Sequence, residues 1–156
     1  MSQQQPEQPS PAPGRLDGSC LILGYDRTDS ARHAADWAAR QLQPNGKLVI
    51  VHACRPLHAP PSVLSSHEER RELGRALIDE LLLEDSGPLL DIEVEADVSD
   101  SDPVTALIDA ARRHEAGAIV IGHEQRSPLR RVLGTVTTEL LDTSPVPVVS
   151  VPLSGV

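Results

Sequence analysis

The chain has 156 residues, of which 14 are basic and 23 acidic, for a formal net charge of −9. That balance argues against general nucleic-acid binding and against an anionic membrane surface, since both attract positive fields. With no Phe, one Trp and one Tyr, there is no aromatic platform for stacked bases, and the core has to be built from Leu, Ile, Val and Ala.

Residues 1–17 are rich in Gln and Pro with almost nothing apolar to bury, and they read as a disordered tail. A Pro-rich ligand for a partner domain is the functional alternative for this stretch. Residues 18–156 suit one domain with a real core. The start of the chain carries neither a basic segment nor an apolar run, and no stretch approaches the ~20 apolar residues that span a bilayer. Cys20 and Cys54 both sit in apolar runs and read as small buried hydrophobes. Without a disulfide framework, a reducing cytoplasm is the expected compartment.

Cys20-Leu-Ile-Leu-Gly24 is a short apolar run closed by Gly, the pattern of a strand covered on both faces. Ser30 is the expected N-cap of a helix whose buried face carries Ala31, Ala34, Ala35, Ala38 and Leu42, with Pro44-Asn45-Gly46 as its stop. Leu48 to Val51 is a second apolar strand, continued through His52, Ala53 and Cys54. After a loop with Pro56, Pro60 and Pro61, a long helix is expected from about Ser65 to Glu84, with Leu73, Leu77 and Leu81 inward. Its other face mixes charges, as a solvated surface with i,i+4 pairs does.

From Asp91 to Val98, Ile92, Val94, Ala96 and Val98 alternate with Glu93, Glu95 and Asp97, which predicts an edge strand with one wet face. Asp102-Pro103 reads as N-cap and first helical residue, followed by a stripe of Val104, Leu107, Ile108 and Ala111. Gly117 turns the chain into a strand over residues 118–121. A last helix opens at Gly134-Thr135, with Thr135 as its cap and Leu133, Val136 and Leu140 inward. Val146 to Val151 is the last strand, and Pro145 and Pro147 put it at an edge.

Alternating β and α elements with right-handed crossovers predict an open five-stranded parallel sheet with helices on both faces. Ligands of such sheets sit outside the carboxyl ends of the strands where strand order reverses. Gly24 and Gly122, closing the first and fourth strands, are the expected neighbours of that crevice. A strand, a Gly-opened loop and a helix N-terminus at residues 118–136 form the layout that holds phosphate on backbone N–H groups.

Several chemistries are disfavoured. His52, Cys54 and His58 have metal-ligand residue types, yet His58 falls in the Pro-rich loop and no second pair stands at zinc spacing, so no metal site is expected. No G-x-S-x-G, Walker loop or paired carboxylates stand at readable spacing, so the chain does not read as an enzyme. Asp26, at the end of the first strand, is either a ligand to a ribose or metal or a turn residue bonded to its own backbone. Arg126, Arg130 and Arg131 either pair with phosphate or form a solvated charged loop.

Taken together, Leu-Ile-Leu-Gly-Tyr-Asp26, Val-Ile-Val-His52-Ala, Asp102-Pro103 with Ala106-Leu107, Ala-Ile-Val-Ile-Gly122, Val132-Leu-Gly-Thr-Val136 and the run from Pro145 to Pro152 resemble the universal stress protein family over about residues 18–152. The resemblance implies a Rossmann-like fold of the adenine nucleotide alpha hydrolase-like kind, with strand order 3-2-1-4-5. The expected wet third strand and Pro-bearing fifth strand, both at edges, agree with that order. It further implies a homodimer through the last strand, residues 146–151, and a cytoplasmic stress-response module acting on a protein partner.

Many members of that family bind ATP through G-x-x-G, nine residues, then G-[ST]. Carried onto this chain, Asp26 contacts the ribose and phosphates, the backbone of Ala53 the adenine, and Gly122 opens the phosphate loop. Gly134, Thr135 and Val136 then supply N–H groups and a hydroxyl, with Arg126 as an added cation. The chain departs twice: Gln125 replaces the second Gly, and eight residues rather than nine precede Gly134. Gln lacks the close backbone approach and positive φ that Gly permits, and Pro128 removes an N–H. The expectation is weak or absent adenine-nucleotide binding, with an ATP-binding switch as the alternative.

Overall fold

The computed structural model describes residues 17–54, 66–85, 87–124 and 134–153. Residues 1–16, the loop prolines 56, 60 and 61, His58, Gln125, Arg126, Pro128, Arg130, Arg131 and Leu133 lie outside the described residues.

The elements are β1 (Cys20–Gly24), α1 (Asp29–Gln41), β2 (Lys47–Ala53), α2 (His67–Glu84), a 3₁₀ turn (Pro88–Asp91), β3 (Glu93–Ser99), α3 (Pro103–Arg113), β4 (Ala118–Glu124), α4 (Thr135–Thr143) and β5 (Val148–Leu153). The five strands make one sheet in the order β3-β2-β1-β4-β5, and every pairing is parallel. Central β1 is apolar throughout because both of its faces are covered. Leu21 and Leu23 face α1 and α2, while Cys20 and Ile22 face α3 and α4. Each such side chain, removed from water, contributes about 1.5–3 kcal/mol.

The edge strands look different for the same reason. On β3, Glu93 and Glu95 are exposed and the intervening Val94 and Ala96 only half-buried, so the alternation does mark the sheet's edge. On the other edge, Pro147 precedes β5 and its carbonyl accepts from the Ile119 N–H at 2.9 Å. That strand runs two residues later than the sequence pattern suggests.

Helix starts follow capping chemistry. Asp102 accepts from the Thr105 N–H at 3.1 Å, with Pro103 at the first helical position, as expected. Ser66 caps α2 through the Glu69 N–H. Two expected caps are corrected. Thr28, not Ser30, caps α1 by accepting from the Ala31 N–H at 3.2 Å, because Ser30 is buried one residue inside the helix. Gly134, not Thr135, is the N-cap of α4, and Thr135 is its first helical residue.

Leu73 is a further correction, being 66% exposed on α2. The buried residues of that helix are Arg70, Gly74, Ile78 and Leu81, with Leu77 partly buried against the core as expected, because α2 packs through a glycine. A Cβ on Gly74 would lie 2.7 Å from Val98 Cγ1 and 2.9 Å from His52 Cδ2.

The face of α1 is made of alanines (Ala31, Ala34, Ala35 and Ala38, all buried), which lets the helix approach the sheet closely. The approach is tightest at Gly122 of β4, where a Cβ would stand 2.2 Å from the Ser30 carbonyl oxygen. Only glycine accommodates that crossing.

Candidate functional site

Strand order reverses between β1 and β4, and there the carboxyl ends of the strands open into a cleft of about 160 Å³. One wall is the end of β1 (Gly24) with Tyr25 and Asp26, and a second is the end of β2, Val51 to Ala53. Pro103 and Leu107 of α3 with Ile121 of β4 make an apolar floor, and Val136 and Thr137 bring in the first turn of α4.

Asp26 sits just past β1 in an exposed turn. Its Oδ1 accepts from the Thr28 N–H at 3.1 Å and from the Thr28 hydroxyl at 2.5 Å. The turn-residue role is therefore present, and the carboxylate still lines the cleft. His52 is held by an Nδ1–H that donates to the Tyr25 carbonyl at 2.8 Å, since a carbonyl only accepts. This bond ties the ends of β1 and β2 together beneath the opening. Burial pushes the Tyr25 hydroxyl up from its usual range; the nearby Arg32 charge works against this and the Glu80 charge adds to it, both less strongly.

Helix α4 differs from α1, α2 and α3 in having no side-chain cap bond at its N-terminus. Gly134 has φ −64° and ψ 161°, and a Cβ there would meet nothing within 4 Å. The glycine therefore answers neither a strained backbone nor a crowded neighbour among the described residues. Among the described residues, nothing stands against this glycine at the positive end of the α4 dipole.

Of the residues singled out from the sequence, Asp26, Ala53, Gly122 and Val136 line the cleft. Gly134 and Thr135 stand at the α4 start beside it, and Arg126 lies outside the described residues. Gly122 carries a packing role as well, against the Ser30 carbonyl. Tyr25, His52, Pro103, Leu107, Ile121 and Thr137 line the cleft without having been assigned to it from sequence. For Tyr25 and His52 a signal existed, since each neighbours an assigned residue at a strand end. His123 is drawn to Ser150, whose Oγ lies 2.6 Å from its Nδ1. His52 and Cys54 share a face, both meeting α2 at Gly74. Among the described residues, no group of three His, Cys, Asp or Glu is placed to hold a metal ion, and no helix is long and apolar enough to cross a membrane.

The family model described as Universal stress protein family matches residues 21–152. Solved structures share the fold. A protein of the universal stress protein family from Burkholderia pseudomallei is 23% identical with a TM-score of 0.60, covering 87% of this chain and 97% of its own. A universal stress protein family protein from Arabidopsis thaliana with AMP bound is 16% identical with a TM-score of 0.58, covering 88% and 93%. A universal stress protein in complex with cAMP is 24% identical with a TM-score of 0.51, covering 85% and 95%. No curated protein matches the chain.

Proposed function

We infer that this chain, which belongs to the universal stress protein family, is a regulatory binding module that takes an adenine nucleotide weakly in the β1/β4 cleft. The observation that carries the reading is the start of α4. Its first turn lines the cleft, as those of α1 (Ala31) and α3 (Pro103) do, and of the three it alone has no side-chain acceptor at its cap among the described residues. An anion is the natural complement to such a terminus. The AMP and cAMP bound by two structural relatives are adenine nucleotides with a single phosphate.

The cleft divides by chemistry. Its adenosine end has Asp26 for ribose hydroxyls, the Ala53 backbone for the base, and the Leu107–Ile121 floor for the ring face. Its phosphate end has the α4 terminus, but Gln125 and an eight-residue spacing replace the glycine and nine-residue spacing of the ATP-binding motif. Affinity then comes from adenosine plus the one phosphate that α4 reaches, and further phosphates add little. Asp26→Ala and Gly134→Arg each lower AMP affinity at least about tenfold on this reading, worth about 1.4 kcal/mol. Unchanged affinity in both would remove the cleft as the site.

A nucleotide-free scaffold is the competing reading, favoured by Gln125 and by the engagement of Asp26 with Thr28. In either case the chain acts by binding rather than catalysis, as a cytoplasmic homodimer paired through β5 that meets a protein partner. The half-buried Val148 and Val149 on the open edge support the pairing. Sedimentation showing one protomer at all concentrations would contradict it.

A further inference from the structure

Arg27, between Asp26 and the cap of α1, holds φ at 67°, a left-handed backbone that disfavours residues with a Cβ. Asn45 and Glu115 also have positive φ, but Glu115 directly follows the C-cap of α3, an ordinary place for a left-handed residue, and Asn45 is the third residue of a turn closed by the Gly46 N–H on the Gln43 carbonyl at 2.8 Å. Arg27 precedes a helix, so its conformation needs another source of support.

Part of that support is local. Asp26 accepts both hydrogen bonds from Thr28, and Thr28 caps α1. The rest comes from more than 50 residues away. Arg27 Nη2 lies 3.3 Å from Glu80 Oε1, and Arg32 Nη1 lies 2.7 Å from Glu84 Oε2. Glu80 and Glu84 are one helical turn apart and so share a face of α2. The two pairs therefore grip the turn on both sides of the Thr28 cap.

We propose that Arg27 and Glu80 form a latch, a pair of positioning residues that holds the strained turn, and with it the Asp26 carboxylate, in place at the wall of the cleft. Through the latch α2 is coupled to the cleft, so a displacement of α2 releases the turn that carries Asp26. Any consequence for a ligand rests on the nucleotide reading above, whereas the latch itself is tested without ligand.

The test is amide hydrogen exchange by NMR on the full chain, read at the Thr28, Ala31 and Arg32 N–H groups, with Leu21 to Leu23 as core controls. Glu80→Gln accelerates exchange at the three turn amides about two- to fivefold at low salt, the range that a partly exposed pair spans. High salt brings the unaltered chain to the same rates. Arg27→Glu alone also accelerates them, and Arg27→Glu combined with Glu80→Arg returns them to within about twofold of the original, a rescue that loss of packing does not give. Unchanged rates in Glu80→Gln would overturn the latch. So would a charge swap no better than its single variants, or equal acceleration of the core controls. Should every variant and the unaltered chain fail to bind AMP, the exchange result stands and only the nucleotide reading falls.

Discussion

Replacing Gly122 with alanine places a methyl group 2.2 Å from the Ser30 carbonyl oxygen, 2.3 Å from the Ser30 carbonyl carbon and 2.8 Å from the Ala31 nitrogen. All three are backbone atoms, so no rotamer change relieves them, and all three lie inside the 3.0 Å that Cβ atoms keep from their neighbours. Relief requires α1 to lift from β4, which breaks the contact of a helix face with Ala34, Ala35 and Ala38 fully buried. Overpacking of a core costs about 1–3 kcal/mol, and with backbone on both sides the upper end applies, about 3 kcal/mol. At about 2–4 °C per kcal/mol for a domain of this size, the melting temperature falls by about 6–12 °C. Gly134→Ala is the matched control: among the described residues nothing lies within 4 Å of its Cβ, so it costs no more than about 1 kcal/mol through the poorer cap. Thermal unfolding followed by circular dichroism reads both. A Gly122→Ala variant melting within about 2 °C of the original chain would refute the packing argument and return Gly122 to the ligand alone.

At Gly74 two effects oppose. Alanine gains about 1 kcal/mol of helix propensity, but its Cβ meets Val98 Cγ1 at 2.7 Å and His52 Cδ2 at 2.9 Å. The clash wins, and the urea midpoint of Gly74→Ala falls; a rise would contradict the close seating of α2. Lys47 hydrogen-bonds Glu95 at 2.9 Å, which holds the Glu95 carboxyl below its ordinary 4.5 and Lys47 above its ordinary 10.5. The lowered carboxyl contributes stability that is present above about pH 4.5 and lost as pH falls through its folded value. The raised amine contributes stability present below about pH 10.5 and lost as pH rises through its folded value. Glu95→Gln therefore shallows both limbs of the stability–pH curve, and limbs unchanged in steepness would count against the pair. Burial pushes both thiols up, so alkylation at about pH 8 is slower than for free cysteine. Cys20, only 6% exposed, reacts more slowly than half-buried Cys54; the reverse order would contradict the placement of β1.

The fold was legible because its signals are periodic and redundant. Unbroken apolar runs in β1, β2 and β4, the alternation in β3, and Asp102-Pro103 at the start of α3 each report one local fact. Parallel crossover geometry leaves few ways to assemble them. What the pattern concealed was three-dimensional. Thr28 displaces Ser30 as a cap because Ser30 is taken up by the α1–β4 crossing. Leu73 points to water because α2 meets the sheet through Gly74, a residue that adds nothing to an apolar stripe. In the cleft, strand-end residues such as Asp26 and Ala53 were legible from topology. Tyr25 and His52 could be placed there only as neighbours of those residues, and the bond that joins them across 27 positions was not legible. The two roles of Gly122, cleft wall and helix crossing, are indistinguishable in one dimension.

Calorimetric titration of the full chain with adenosine, AMP and Mg-ATP bears most directly on the proposed nucleotide site. AMP and Mg-ATP are expected to bind within about threefold of one another, with dissociation constants of about 0.1–1 mM. Adenosine is weaker by about two- to tenfold, the contribution of one phosphate at a helix N-terminus. Mg-ATP at micromolar affinity and far tighter than AMP would mean that the loop before Gly134 holds the further phosphates, contradicting the division of the cleft. No heat from any of the three at millimolar concentration would mean that the chain works through its surfaces alone.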